Sequence, residues 1–386
     1  MKNVWGLIAL THLFVATTAN AAEKVSFKRF EIDPLFRSEG VAAADLNRDG
    51  KRDIVVGDLW YAAPDWKPHE IRNPRKPNRG GYTEAFAVYT DDFNGDEWAD
   101  VLVVPFHGKD AKWYENPKNK DGHWTERVAF KGTGNETRLY TDSLFPGKKV
   151  FLMGVEEKMI AWIAVPEDPT GPWEVHDISG PGGKAAAHRF AHGLGVGDVN
   201  GDGRSDVMYK DGWWEQPASG EKHKEPWVFH QQRIVGDNIA DMYTLDADGD
   251  GRNDIFCTSA HGRGFYWCKQ AGDAKSPAFE ATKLNELIYE THSLNYVDVN
   301  GDGTKDFVTG RRFFAHGFRP EKAREPSELY WFEVKTSKGG TPELMPHKVD
   351  DQSGVGAQFV TTDFNGDKKV DIVISNRKGV FLFLQD

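Results

Sequence analysis

Cysteine is nearly absent, with only Cys257 and Cys268 among 386 residues. No C-x-x-C pair occurs, which excludes the common thiol redox and cysteine zinc motifs. The two cysteines flank the loop Ser259-Ala260-His261-Gly262-Arg263-Gly264, so adjacent strands can bring them together as a disulfide; the alternative is two buried thiols on non-facing positions. Positive charge is also short: 48 Lys and Arg stand against 59 Asp and Glu, a formal −11. No basic stripe marks a nucleic-acid surface. A G-x-S-x-G nucleophile turn, a phosphate loop and a dinucleotide fingerprint are all missing, which argues against ATP or NAD chemistry. Long apolar runs are missing too. The stretch from Val4 to Val15 is too short to span a bilayer, so no membrane span is expected. With Lys2 before it and the small residues Ala19-Asn20-Ala21 after it, residues 1–21 read as a cleaved secretory leader. No cysteine lies near the cleavage site to anchor a lipid. The expected product is a bacterial periplasmic or secreted monomer of residues 22–386.

What is abundant is one loop. Asp198-Val199-Asn200-Gly201-Asp202-Gly203-Arg204-Ser205-Asp206 offers oxygen ligands at alternate positions, a glycine for the sharp turn and a further carboxylate to close the cage. The opening matches an EF-hand loop, but its twelfth position is Tyr209, inside an apolar run, where an EF-hand requires glutamate and a helix. The loop is therefore a strand-flanked calcium hairpin. Five more copies keep the same offsets: Asp45, Asn47, Asp49, Asp53; Asp92, Asn94, Asp96, Asp100; Asp246, Asp248, Asp250, Asp254; Asp298, Asn300, Asp302, Asp306; and Asp363, Asn365, Asp367, Asp371. A double gap in the middle is filled by residues 142–147, a copy that has lost its ligands. The count is seven repeats with up to six structural calcium ions, whose charge would about offset the formal −11.

Repeats of roughly 40 to 50 residues, each built of short β-branched and aromatic strands, point to an all-β, seven-bladed β-propeller as a single domain. Aromatic pairs recur once per blade at Trp60-Tyr61, Trp113-Tyr114, Trp213-Trp214, Tyr266-Trp267 and Tyr330-Trp331. That regularity fits core packing better than sugar stacking. The last blade runs out one strand short after Phe381 to Leu384, and Phe27 to Ile32 has the look of the missing strand. Pairing of the two termini would close the ring and remove an exposed edge.

The D-x-N-x-D-G-x-x-D loops followed by apolar strands resemble FG-GAP or VCBS repeats, the units of integrin-α-type propellers and of many secreted bacterial propellers. The resemblance implies a fold and calcium sites, not one activity. A weaker similarity, to the propeller portion of aldos-2-ulose dehydratase and related sugar-acting propellers, rests on His192-Gly193-Leu194-Gly195-Val196-Gly197-Asp198 and Thr291-His292-Ser293-Leu294.

If the calcium loops all lie on one face, the strand starts lie on the other. Counting back six residues from the first loop aspartate gives Glu39, His192 and His292, and Glu136 in the degenerate copy; the nearest equivalents elsewhere are Asp241 and Glu84. At about 3.3 Å per residue, six residues place each roughly 20 Å from the calcium end, at one height around the axis. A second loop set on that face holds His107-Gly108, His261-Gly262 and His316-Gly317, with Arg263, Arg311 and Arg312 close by. Such a mouth suits a divalent metal such as zinc, or proton transfer. The bland alternative is turn chemistry that caps exposed backbone.

Two function classes follow. One is lyase or dehydratase chemistry on a sugar or keto-sugar, with His192 or His292 taking a proton beside a carbonyl and a glutamate or metal stabilising the enolate. The other is a non-enzymatic scaffold that binds a protein partner on its rim. In either, loop calcium stabilises the fold by mass action. Chelation is expected to lower the melting temperature reversibly, with a smaller loss for Asp202→Ala; scanning calorimetry with and without calcium checks it.

Overall fold

The computed structural model describes residues 25–386 except 77, 79, 237, 274, 275 and 315–324, so the leader and His316 lie outside the described residues. Regular structure among the described residues is almost entirely strand, with one α-helical turn, Lys184–Ala187. No described helix is long and apolar enough to cross a membrane. The strands form five separate four-stranded antiparallel sheets and one eight-stranded sheet. The four-stranded sheets cover residues 42–70, 87–130, 139–177 and 294–350, and the fifth joins residues 360–385 to the strand Phe27–Asp33. This architecture is a β-propeller.

Where seven separate blades were expected, residues 194–289 make one continuous sheet. Two four-stranded antiparallel units, residues 194–231 and 239–289, are joined there by a single parallel bridge, Gly195 to Met242. Glycine makes the bridge possible: a Cβ on Gly195 would sit 2.3 Å from the Met242 carbonyl oxygen. At the termini, Phe27–Asp33 pairs antiparallel with Gly379–Gln385, Phe27 lying opposite Gln385 and Phe30 opposite Leu382.

Apolar clusters fill the spaces between successive four-stranded units, and the aromatic pairs explain how. Neighbouring residues on a strand point to opposite faces. Tyr114 therefore packs with Val55 and Val101 on one side while Trp113 packs with Phe151 and Ile163 on the other. Trp214 and Trp213 divide in the same way between Trp162 and Ile255, and Tyr330 and Trp331 between Phe307 and Phe381. The last of these clusters also contains Ile54 and Tyr61 of the first sheet.

The two cysteines are not joined, which corrects the expected disulfide. Register is the reason: Cys257 lies opposite Tyr266 and Cys268 opposite Ile255, so the thiols are two places apart on neighbouring strands.

The final loop aspartates do something the spacing did not suggest. Asp53, Asp100, Asp206, Asp254, Asp306 and Asp371 are all fully buried. One oxygen of each accepts from the second residue of its own loop, as from Val199 N at 2.9 Å by Asp206. The other accepts a backbone N–H at or near the end of the third strand, as from Gln216 N at 2.9 Å. In four units that donor residue is Asn or Gln, and its side-chain amide donates to a loop carbonyl of the preceding unit: Asn116 to Leu46, Gln216 to Leu144, Gln270 to Val199 and Gln385 to Val299. The carboxylate fixes the hairpin, and the amide fixes its neighbour.

Leaving two buried N–H groups without an acceptor costs on the order of 2–4 kcal/mol. Asp206→Ala is expected to lose about that much even in saturating calcium, and Gln270→Leu about 1 kcal/mol, the worth of one hydrogen bond. Urea unfolding of both variants at fixed calcium measures the difference.

Candidate functional site

The six loops share one conformation. In the loop at 198, Asp198 Oδ1 accepts from Asp202 N and Oδ2 from Gly203 N; Asn200 Oδ1 also accepts from Asp202 N, and Asp202 Oδ1 from Arg204 N. The same pattern holds Asp45, Asn47 and Asp49, and Asp246, Asp248 and Asp250. Backbone donors thus gather the side-chain oxygens of positions one, three and five. In the loop at 246, where all three are carboxylates, they lie within 4.8 Å of one another. Burial above all, with the neighbouring loop aspartates adding to it and backbone hydrogen bonds opposing it, pushes Asp100 and Asp206 up to about 7. An all-oxygen donor set whose carboxylates repel one another fits a calcium ion. The cage-closing role expected of the final aspartates changes, because both oxygens of each already hold backbone N–H groups, and Asp254 stands outside the group of three.

The strand-start residues do converge. Arg312, which follows the strand Asp306–Gly310, is 1% exposed and reaches two carboxylates from distant sheets. Its Nη2 donates to Glu39 Oε2 at 2.9 Å and its Nη1 to Glu136 Oε2 at 2.8 Å. Arg377 Nη2 adds a 3.4 Å contact to the other oxygen of Glu39. Backbone bonds set these positions. Glu39 N donates to Ala85 O and Glu39 O accepts from Ala357 N, while Glu136 N donates to Ala191 O, one residue before His192.

Beside this clamp, three histidines meet. His192 Nε2 lies 2.9 Å from His261 Nε2, and the rings of His192 and His292 are 4.9 Å apart. One ligand atom of each lies within 4.8 Å of the others, with His192 and His292 buried and His261 exposed. Gly193, at φ +82°, allows the turn that carries His192 into its strand, and its N–H donates to Thr137 Oγ1 at 2.9 Å. His292 Nδ1 lies 3.1 Å from the Glu290 carbonyl, so a proton on Nδ1 leaves the Nε2 lone pair available. Burial, then His261 and then Arg312, holds His192 well below the ordinary imidazole range.

All four predicted residues, Glu39, Glu136, His192 and His292, thus surround one centre, with changed roles. The glutamates are the anionic half of a buried ion pair rather than open proton acceptors, because Arg312 already occupies an oxygen of each. Three side chains of the second loop set or of other positions do not join the histidines. Asp241 Oδ2 accepts from Leu294 N at 2.8 Å, Glu84 pairs at the surface with Arg75 and Lys109, and His107 packs against Phe106. Arg311 pairs with Glu290 at 3.6 Å. His261 completes the triad from a loop that the six-residue offset does not reach. A cavity of about 800 Å³ lies elsewhere, beside the first aspartate loop between Trp60, Asn116 and Trp124. It contains none of these groups, so chemistry rather than volume marks the centre.

Comparison with known proteins bears on the fold. Residues 246–309 match the FG-GAP-like repeat. That stretch begins at one calcium loop and ends just past the next. No curated protein matches the chain. Among solved structures, BBS1N in its complex with ARL6DN is similar at 10% identity and a TM-score of 0.54, covering 94% of this chain and 96% of that one. An Agrocybe aegerita lectin that recognises non-reducing terminal N-acetylglucosamine is similar at 17% identity and a TM-score of 0.43, covering 94% of this chain and 86% of that one. YCF48 from Cyanidioschyzon merolae is similar at 12% identity and 0.47, covering 93% and 98%. At these identities the likeness concerns the fold.

Removing one partner of a buried ion pair leaves an uncompensated charge, at a cost of roughly 3–5 kcal/mol. Arg312→Met is expected to destabilise by about that amount, and adding Glu39→Gln and Glu136→Gln to recover most of it. Denaturant midpoints of the single and triple variants decide whether the clamp acts as a unit.

Proposed function

We propose that this chain is an exported, calcium-stabilised propeller of seven four-stranded units that binds a divalent metal such as zinc at His192, His261 and His292 and acts there on a carbohydrate. The seven-unit count treats the eight-stranded sheet as two blades sharing one bridge. Closure of the ring is supported by the terminal strand pairing and by the cluster that joins the first sheet to the last. The observation that carries the metal reading is the trio of imidazoles within 4.8 Å, two buried and one open to solvent. Three neutral histidines with an open side are a common catalytic zinc arrangement.

A bound zinc would polarise a sugar carbonyl, as lyase or dehydratase chemistry on a keto-sugar requires. The chain's own residues hold the ligands. The Glu290 carbonyl orients His292, and the side-chain amide of Asn238 lies 3.1 Å from His261 Nδ1. Arg312 and Arg377, balanced by Glu39 and Glu136, lie beside the histidines without adding net charge. His192 and His292 act as ligands in this reading, not as bases, since one lone pair cannot serve both. The rim-scaffold alternative has less support. Exposed apolar side chains on outer strands, Val128, Val228 with Phe229, Leu287 and Met345, are spread over four units, the scattered pattern normal for a surface.

One zinc per chain is expected to survive chelation mild enough to strip loop calcium, and to be lost in His261→Ala and His292→Ala with calcium-dependent melting intact. Metal analysis measures the zinc, and mass spectrometry of keto-sugars incubated with the zinc-loaded protein checks for loss of water. A wild-type chain that retains no metal would end this reading.

A further inference from the structure

The paired aromatics are consumed by packing, yet three other rings stay outside every apolar cluster and lie beside the histidine centre. Tyr82 is 36% exposed and Phe190 50%. Phe106 sits between them: Tyr82 stacks on it at 3.8 Å and 10°, and Phe190 approaches it at 6.2 Å. His107 packs on both phenylalanines, at 3.9 and 5.4 Å, and His188 meets Phe190 at 5.8 Å. Beneath Tyr82 lie the Arg377 and Arg312 guanidiniums, at 5.5 and 6.0 Å from its ring centre. The ring row is therefore continuous with the clamp on one side.

It is continuous with the histidines on the other. Phe190 and His188 line a concavity together with Lys184, Tyr209 and Asn238, and Asn238 lies 3.1 Å from His261. One concavity thus runs from Phe190 to Asn238, beside the exposed histidine. Its edge is polar, with Lys184 exposed and Arg189 paired to Glu157. Exposed aromatic area rimmed by polar groups marks a binding site. Its shape selects the occupant. One open ring backed by a stacked pair and edged with imidazoles and an ion pair is too narrow for the surface of roughly 800 Å² per partner that a stable protein contact buries. It suits a pyranose, whose apolar C–H face lies on a ring while its hydroxyls reach the edge.

We propose that the exposed Phe190 ring, buttressed by the Phe106–Tyr82 stack, forms a stacking subsite for a second sugar ring, adjacent to the ring held at the histidines, so that the preferred ligand is an oligosaccharide rather than a single sugar. This rests on the carbohydrate reading of the histidine centre. The test is calorimetric titration of the zinc-loaded full chain with mono- to tetrasaccharides of the cellulose, xylan, chitin and polygalacturonate series. In at least one series the disaccharide and longer members are expected to bind about tenfold or more tightly than the monosaccharide. Phe190→Ala is expected to abolish that gain without changing monosaccharide affinity, and Phe190→Tyr to restore it. His261→Ala is expected to weaken all lengths together. Because Phe190 is exposed, its variants should melt with the wild type. If a series binds but Phe190→Ala leaves the length dependence unchanged, or if length gives no gain, the subsite is wrong and the histidine centre stands. If no saccharide of the panel binds, both readings fall.

Discussion

The structure depends on a buried carboxylate repeated six times. Each final loop aspartate ties the second residue of its loop to the backbone at or near the end of the third strand, so three strands of a unit are locked at one end by a single side chain. Such a group is costly to bury unless every oxygen is met, and here backbone N–H groups meet them. The amides of Asn116, Gln216, Gln270 and Gln385 extend the lock to the preceding unit. Hairpin height is therefore set by hydrogen bonds rather than by apolar packing, which tolerates sliding.

Fixed height at the loop end becomes convergence at the other. Glu39, Glu136, His192 and His292 begin their strands at the same distance from their loops, so they arrive together. Four polar groups brought to a buried meeting point demand neutralisation, and Arg312 supplies it for the two carboxylates, with Arg377 assisting at Glu39. Phe86 lies against the same guanidinium, 5.0 Å from its ring centre, which shields the pair from solvent. The ion pair is better understood as a specifier of which loops meet than as a source of stability.

This division shows what could be read from the chain alone. Loop spacing reveals the hairpins because calcium chemistry needs oxygens at alternate positions, and the offset of six reveals the convergence because strand rise is constant. The partner of Glu39 was hidden, since Arg312 reaches it from a loop 273 residues away whose path no periodicity encodes. His261 was visible as a loop histidine, but its loop belongs to the following hairpin connection, where distance from the calcium aspartate varies. The merging of two units at Gly195 turns on a missing Cβ and a single close approach. Lone rings such as Tyr82 and Phe190 carry no pattern at all. Paired aromatics announce a core by alternation, whereas a single exposed ring announces itself only by its surroundings.

Those surroundings bear on how the centre can work. Two histidines are buried and held by backbone carbonyls or neighbours, while the third is open to solvent at the end of a groove. A wholly buried trio would bind a metal for structure, and a wholly exposed one would not be pre-organised. The mixed arrangement would hold two ligands of a metal rigid and leave one side of it approachable. Rigidity comes from the same strand starts that the loop aspartates fix at the far end of each unit. The order that the loop aspartates impose on one face is thus transmitted along the strands to the geometry of the other, without any direct contact between the two.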